Sequence, residues 1–262
     1  MRTLLICHDG AVLSQEGLAR WLASFSDLAG MVVLQERKAR KWQRVRREIR
    51  RSGALGFLDV LAFRLYSSLF LARKERGWVQ ERLEDLRRRY PPLPTGMPRL
   101  ITHSPNSEEA RRFIADLAPD IAIARCKVLL QERIFSLPRK GTFVMHPGIC
   151  PQYRNAHGCF WALVEDDREN VGMTLLKVDS GVDTGPVYAY HRVTFDEARE
   201  SPSVIQHRVV LDSLDLLQED LQTLFEGSAA PIPTEGKPSA AWGQPRLTRY
   251  WHWKSRARRE KR

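Results

Sequence analysis

Short apolar runs alternate with helical stripes at both ends of the chain, and a long stretch between them breaks the pattern. TLLIC (3–7) is a run of buried-strand type, and Leu18, Ala19, Leu22 and Phe25 recur at helical spacing across 14–25. GMVVLQ (30–35) reads as a second strand, with Gly30 closing the turn before it. Strand, helix and strand of these lengths predict a βαβ unit and a parallel sheet. From residue 99 the alternation resumes. RLIT (99–102) precedes a helix over 107–117, capped by Asn106 or Ser107, and strands follow at 120–124 and 141–146. A helix near 158–165 and strands near 171–179 and 186–194 come next. A last helix opens at Ser201 and Pro202 and stops at Gly227, on a stripe through Val210, Leu214, Leu217, Leu221 and Leu224.

The middle stretch is helical throughout. Residues 37–51 form a basic helix that Ser52 and Gly53 break. Residues 55–72 form a second, where Leu58, Leu61, Ala62, Leu65 and Leu69 make one stripe and Phe57, Val60, Phe63, Phe70 and Leu71 lie outside it. A helix apolar nearly all round needs cover on several sides, from the core, a partner or a lipid surface. A charged third helix over 77–89 ends at Pro91 and Pro92. The expectation is a helical insertion, at about 37–95, in an α/β domain over 1–235, followed by a basic aromatic tail at 236–262.

Charge sharpens this division. The 262 residues carry a formal +11, of which residues 37–51 hold +8 and residues 246–262 hold +7, so the rest of the chain is mildly acidic at −4. The basic helix fits an anionic partner or membrane surface. The tail interleaves Tyr250, Trp251 and Trp253 with cations, which suits stacking on bases, a lipid interface, or docking of its aromatics on the parent domain. The four cysteines lack CxxC spacing, no metal site is legible, and the first apolar run is too short for a signal-peptide core. A cytoplasmic location, with peripheral contact to a membrane, is expected.

The chemistry concentrates in 141–190. GTFVMHPGICPQYRNAHGCFWAL places His146 at the end of a buried strand, followed by a Pro147–Gly148 turn, and VDSGVDTGP carries Asp183 in a second glycine-rich turn. Open α/β sheets gather ligands at the C-terminal edges of their strands, so the two turns predict a His146–Asp183 acid–base pair. His8 and Asp9 echo the HD pair of metal phosphohydrolases, but the order of the chain makes them a turn after the first strand. Cys150 and Cys159 are read as buried small side chains rather than thiolate nucleophiles, and Trp161 as core.

The same stretch resembles the formyltransferase-fold family, whose signature runs G-x-x-N-x-H-P-(S/G)-x-x-P-x-(Y/W)-R-G, then a helix, then G-(V/M)-T and D-x-G-x-D-x-G-P. Gly141, His146, Pro147, Gly148, Pro151, Tyr153, Arg154, Trp161, Gly172, Thr174, Asp179, Gly181, Asp183, Gly185 and Pro186 fall in register, and APDIAIARCKVLL (118–130) is similar to the strand and loop before the signature. The resemblance covers roughly 99–195. It implies a Rossmann-like α/β fold, a mostly parallel sheet with helices on both faces, and transfer of a formyl group from N10-formyltetrahydrofolate to an amine. In that family an Asn and a protonated His stabilise the oxyanion, and an Asp supports the His and helps move protons. His146 and Asp183 take the matching positions. The Asn position is Val144, whose side chain donates nothing, so a compensating donor is sought in Asn155, His157 or a backbone N–H.

The resemblance further implies that the pterin meets backbone groups of Lys127, Val128, Leu129 and Leu130 and of Ser180, Gly181, Val182 and Asp183, and that Tyr153, Arg154 and Asn155 face the acceptor. CHDGAVLS lacks the glycine- and serine-rich turn that holds a ribonucleotide phosphate in the purine branch. Only 67 residues follow Phe195, too few beside the final helix for a barrel that grips tRNA. Nucleic acid is therefore disfavoured as substrate, and the sugar-nucleotide branch, with a small amine such as an amino sugar as acceptor, is the nearest likeness. The alternatives are a degenerate folate-binding or scaffold protein and a formyltetrahydrofolate hydrolase. The oligomeric state is not legible.

Overall fold

The computed structural model describes residues 1–36 and 38–261, and the side chains of all of these except 38–44; Arg37, the first residue of the expected basic helix, and Arg262, the last of the tail, lie outside them. Strand β1 (Arg2–His8) runs down the middle of a seven-stranded sheet, and its run Leu4–Cys7 is buried on both faces. Alternation along the strand explains this. Leu5 and Cys7 join Met31, Val33, Ile121 and Ile123 in a large core on one face, while Leu4 and Ile6 join Val32, Leu34, Ala122 and Ala124 in a smaller core on the other.

Around β1 lie β2 (Asp27–Leu34), β3 (Arg99–Thr102), β4 (Ile121–Arg125) and β5 (Gly141–Pro147). After the two-residue β6 (Arg154–Asn155) come β7 (Met173–Lys177) and β8 (Val187–His191), and the sheet order is β3-β2-β1-β4-β5-β7-β8. The first five are parallel; β7 and β8 are antiparallel. Helix α1 (Ala19–Phe25), entered through a wide π-helical turn at Leu13–Leu18, packs in the large core, and α4 (Glu108–Leu117) and α5 (Glu132–Phe135) cover the other face. The mostly parallel sheet with helices on both faces matches the fold expected from the sequence.

Four local expectations change. Gly30 lies inside β2 rather than in a turn before it: a Cβ there would fall 2.7 Å from a Leu117 methyl and 3.0 Å from the Pro98 carbonyl oxygen, so close helix-to-strand packing demands glycine. The insertion breaks at Gly53 as predicted, at φ 71° inside α2 (Lys38–Tyr66), but the next two expected helices are continuous. Alpha-helical α2 passes through a π-helical turn at Ser67–Leu71 directly into α3 (Ala72–Arg89), because a lone Gly77 costs only about 1 kcal/mol and does not stop a helix. The last predicted helix splits into α7 (Pro202–Leu211) and α8 (Leu214–Glu226), after α6 (Gly158–Val164), because the Ser213 hydroxyl takes the Val209 carbonyl and the Trp21 indole takes that of Leu214.

The fourth change concerns the C-terminal segment. Residues Ala241–Trp242 form β9, which pairs in parallel with β6, and Leu247–Glu260 form α9. Tyr250 and Trp253 of α9 enter the large core, and Ala257 is buried. Phe63 of the insertion lies 5.4 Å ring-to-ring from Tyr250 and 6.0 Å from Phe160 of α6, so insertion, tail and sheet share one packed interior. Of the tail's three aromatics, Tyr250 and Trp253 dock on the parent domain and Trp251 stays exposed.

Candidate active site

Strand β5 delivers the central residue. Its alternation turns Phe143 and Met145 into the large core and sets Val144 and His146 on the opposite side. His146 is 5% exposed, opposite Thr174 in the β5–β7 pairing. The chain then turns at Gly148, φ 152°, where a Cβ would fall 2.8 Å from the Gly158 Cα and 2.9 Å from His146 Nε2. The Thr174 hydroxyl closes this turn from below, donating to the Gly148 carbonyl at 2.6 Å and accepting from the Cys150 amide at 3.0 Å. The result brings the Tyr153 carbonyl oxygen to 2.8 Å from His146 Nε2. A carbonyl only accepts, so Nε2 carries the proton and Nδ1 is the nitrogen that gains or loses one.

Nδ1 faces Asp183, whose Oδ2 lies 3.5 Å away. The acidic turn is braced from within: Asp179 accepts from the Gly181 amide at 2.9 Å and the Thr184 hydroxyl at 2.8 Å. Asp183 itself adopts φ 51°, a left-handed conformation that Asp tolerates better than most residues. Its Oδ2 also accepts from the Asn155 amide at 2.8 Å, and the Arg154 guanidinium donates to the Val182 carbonyl at 3.1 Å and the Ser239 hydroxyl at 3.0 Å. The Arg154–Asn155 strand thus straps the acidic turn against the histidine.

His146, Asp183, Val182, Arg154 and Asn155 therefore converge. Tyr153 contributes its carbonyl, while its side chain belongs to the support: the hydroxyl donates to Asp167 at 2.9 Å, and the ring stacks on Trp242 at 5.6 Å. The 127–130 loop follows β4. Its Lys127 amide donates to His8 Nε2 at 2.9 Å and its Leu129 carbonyl accepts from Asn106 at 2.9 Å, so these two backbone groups are engaged within the protein. Leu130 is buried, whereas Leu129 on this loop and Val182 on the acidic turn leave large apolar side chains exposed. Val128, Val144 and Val178 border one apolar cluster, which joins the loop, the strand and the start of the acidic turn.

Val144 also packs toward Cys150, Leu176 and Val187. The candidate compensating donors are both tethered. The Asn155 side-chain amide donates to the Trp242 carbonyl at 2.5 Å. His157 Nδ1 lies 3.1 Å from Gln206 Nε2, and burial, with Lys127 nearby, pushes the ring's pKa down to about 4, so at neutral pH it is uncharged. His157 lines a cavity of about 290 Å³ with Val60, Phe63 and Arg64 of the insertion and Gln244 and Pro245 of the tail. Arg125, at the end of β4, donates to the Met145 carbonyl, and burial lowers its pKa to about 10.

The other residues singled out in the sequence are placed as follows. His8 ends β1 at the Lys127 amide, and the Asp9 amide donates to the Leu34 carbonyl at 3.0 Å, the turn expected there. Cys150 and Cys159 are buried with thiols pushed well up, Cys159 to about 12, which removes thiolate character. Trp161 is core, its indole donating to the Gly243 carbonyl at 2.8 Å. Among the described residues no three His, Cys, Asp or Glu side chains gather to hold a metal. Sequence reasoning missed Trp242, which stacks on Tyr153 and Trp161; its short AAWGQP setting carries no periodic signal, and only its distance from the signature hides its role.

Comparison with known proteins meets this geometry. The formyl transferase family profile matches residues 81–217, more than half the chain. Methionyl-tRNA formyltransferase of Sorangium cellulosum is 31% identical over 150 residues, covering 55% of this chain and 46% of that protein. GDP-perosamine N-formyltransferase of Brucella melitensis is 25% identical over 162 residues, covering 57% and 62%. The chain thus spans less than half the length of the first of these relatives. A sugar N-formyltransferase structure from a Shewanella species superposes with a TM-score of 0.55 at 13% identity, over 93% of this chain and 76% of that one, and so shares the fold. With its signature histidine and aspartate paired at the edge of such a sheet, the chain belongs to the formyl transferase family.

Proposed function

We propose that this protein transfers the formyl group of N10-formyltetrahydrofolate to the primary amine of a small molecule such as an amino sugar. The carrying observation is the His146–Asp183 pair, 3.5 Å apart, at the mouth of the two turns. Leu129 and Val182, large apolar side chains left exposed on the two turns, suit the flat face of a pterin. When bound, the donor supplies an electrophilic formyl carbon. His146 holds its Nε2 proton on the Tyr153 carbonyl and exchanges a proton at Nδ1, and Asp183 orients the ring. An imidazolium here stabilises negative charge that builds on the formyl oxygen as the amine attacks, gives its Nδ1 proton to the leaving nitrogen as the C–N10 bond breaks, and as the neutral ring takes up the proton that the amine loses. The reading of a small acceptor draws support from the GDP-perosamine relative.

Val144 favours a second reading, in which the folate site is kept and transfer is slow or absent. Release of tetrahydrofolate from N10-formyltetrahydrofolate, followed with and without a panel of amino-sugar nucleotides and other amines, tests both. Amine-dependent release abolished in His146→Ala supports transfer. Amine-independent release would make the protein a hydrolase, and folate binding without release would leave a binding protein.

A further inference from the structure

The second half of α2 and the π-helical turn after it carry a stripe of large apolar side chains that the fold does not cover. Leu55, Leu58, Leu65, Leu69 and Phe70 are 59–84% exposed. Their spacing puts the four leucines on one side of the helix, and from Leu55 to Phe70 the stripe runs about 22 Å. The opposite side of the same helix is core, with Val60 and Phe63 buried against α6 and α9. Tyr66 connects the stripe to the exposed Trp251, at 5.0 Å from the Phe70 ring and 6.1 Å from the Trp251 ring. A soluble surface rarely leaves so many neighbouring large apolar groups in water without a partner.

The charges around the stripe say which partner. Before it stand the exposed Arg46, Arg47 and Arg50, and after it Arg73, Lys74 and Arg76. Of the three acids of the same stretch, Glu48 pairs with Arg51 at 4.0 Å and the other two are turned to the body: Asp59 accepts from the Thr248 amide at 3.1 Å, and Glu75 from the Ser201 hydroxyl at 2.6 Å. Cations in the tail are spent differently. Lys254 donates to the Glu197 and Glu200 carbonyls, Arg256 to that of Leu163, and Lys261 pairs with Asp196, while Arg249, Arg258 and Arg259 stay exposed; the cations in line with the stripe are those of the insertion. An apolar stripe between clusters of arginine, with a tryptophan at one margin, is the pattern of a helix lying in a bilayer interface.

We propose that α2 docks this protein on an anionic phospholipid surface, with the leucine stripe in the acyl boundary and the arginines among the headgroups. One 18-residue window of Val45–Arg89 reaches a mean hydropathy of 1.5, yet crossing the bilayer would strip Val60 and Phe63 from the core, so the helix lies in the plane. Pairing two copies through the stripe would set arginine against arginine in either direction, Arg46, Arg47 and Arg50 against their own kind or against Arg73, Lys74 and Arg76, which charge repulsion opposes. The proposal stands independently of the formyl-transfer reading.

The test uses the full chain and vesicles of phosphatidylcholine alone or mixed with phosphatidylglycerol, at low and high salt, read by flotation. The protein is expected to float with the anionic vesicles, at least tenfold more tightly than with neutral ones, and to be released by salt. Leu58→Glu/Leu65→Glu/Leu69→Glu abolishes binding at unchanged Tm. Arg46→Glu/Arg47→Glu/Arg50→Glu, which touches no buried position, weakens it by about a hundredfold or more, at roughly fivefold per basic residue near the surface. Absence of vesicle binding, or equal binding to neutral and anionic vesicles, overturns the proposal. So does a mass of two chains in solution that the leucine variant halves, which would make a second copy the occupant.

Discussion

The Nε2 atom of His146 stands 2.8 Å from the carbonyl oxygen of Tyr153, and this contact decides which nitrogen of the ring does chemistry. With Nε2 held as a donor, proton exchange is confined to Nδ1, opposite Asp183. His146→Ala is expected to lower amine-dependent release of tetrahydrofolate by about 10²–10⁴-fold while leaving folate affinity nearly unchanged. Asp183→Asn keeps an oxygen for the Asn155 amide but removes the charge, and it is expected to reduce the rate in the same direction without unfolding the turn. Steady-state kinetics beside a thermal melt separate the two effects.

Val144 shares the His146 side of β5 and is only half buried, so a longer polar side chain has an outlet there. Val144→Asn restores the donor expected from the family signature. A gain in kcat of tenfold or more is expected, together with a loss of about 1–2 kcal/mol in stability, because an amide enters an apolar cluster. An unchanged kcat in a folded variant would place the oxyanion contact elsewhere.

Gly148 is the position where a single methyl group does most harm. Its φ of 152° is one that L side chains rarely adopt, and the added carbon would meet Gly158 Cα at 2.8 Å and His146 Nε2 at 2.9 Å. Gly148→Ala is expected to destabilise the protein by about 2 kcal/mol or more and to abolish activity even at temperatures where it stays folded. Chemical denaturation and the release assay, run on the same sample, check both.

Two histidines set the acid limit of stability. Burial, with Lys127 near His157 and Arg125 near His207, pushes both pKa values down to about 4 from an ordinary 6.5. Between those values the unfolded chain binds protons that the folded chain refuses, so stability falls as pH drops from 6.5 to 4. His207→Gln is expected to flatten the Tm profile over that window and leave it unchanged above pH 7.

The carboxylate of Asp59 caps α9 from another element, through the Thr248 amide and hydroxyl. Asp59→Ala is expected to lower stability by about 1 kcal/mol. The loss should appear first as faster amide exchange in α9, since Tyr250 and Trp253 anchor that helix to the insertion and the core.

The strands and the signature were readable in the chain because each is local. The run TLLIC needs only its own apolar residues to declare a buried strand, and His146, Gly148, Asp183 and Gly185 lie in two short words whose turns are encoded by glycine and proline. Register and partnership were not local. Nothing in AAWGQP announces that Ala241–Trp242 will pair with Arg154–Asn155, some 87 residues earlier, and carry the ring that stacks on Tyr153. The missed continuity at Gly77 and the missed break at Ser213 have different causes: one glycine costs a helix only about 1 kcal/mol, whereas at Ser213 a side-chain hydroxyl and the distant Trp21 indole take helix carbonyls.

The sequence by itself determined the α/β class, the order of its strands along the chain, the His146–Asp183 pair and the positive charge of the insertion, since periodicity, turn chemistry and charge are properties of neighbouring residues. Only the tertiary structure decided which ring nitrogen faces the aspartate, that the side chain of Tyr153 serves the scaffold, and that Lys254, Arg256 and Lys261 of the tail are spent on the body. Those outcomes depend on residues dozens of positions apart meeting at hydrogen-bond distance, and the chain acquires such contacts only when the sheet closes its order and brings β5, β7 and the C-terminal segment together.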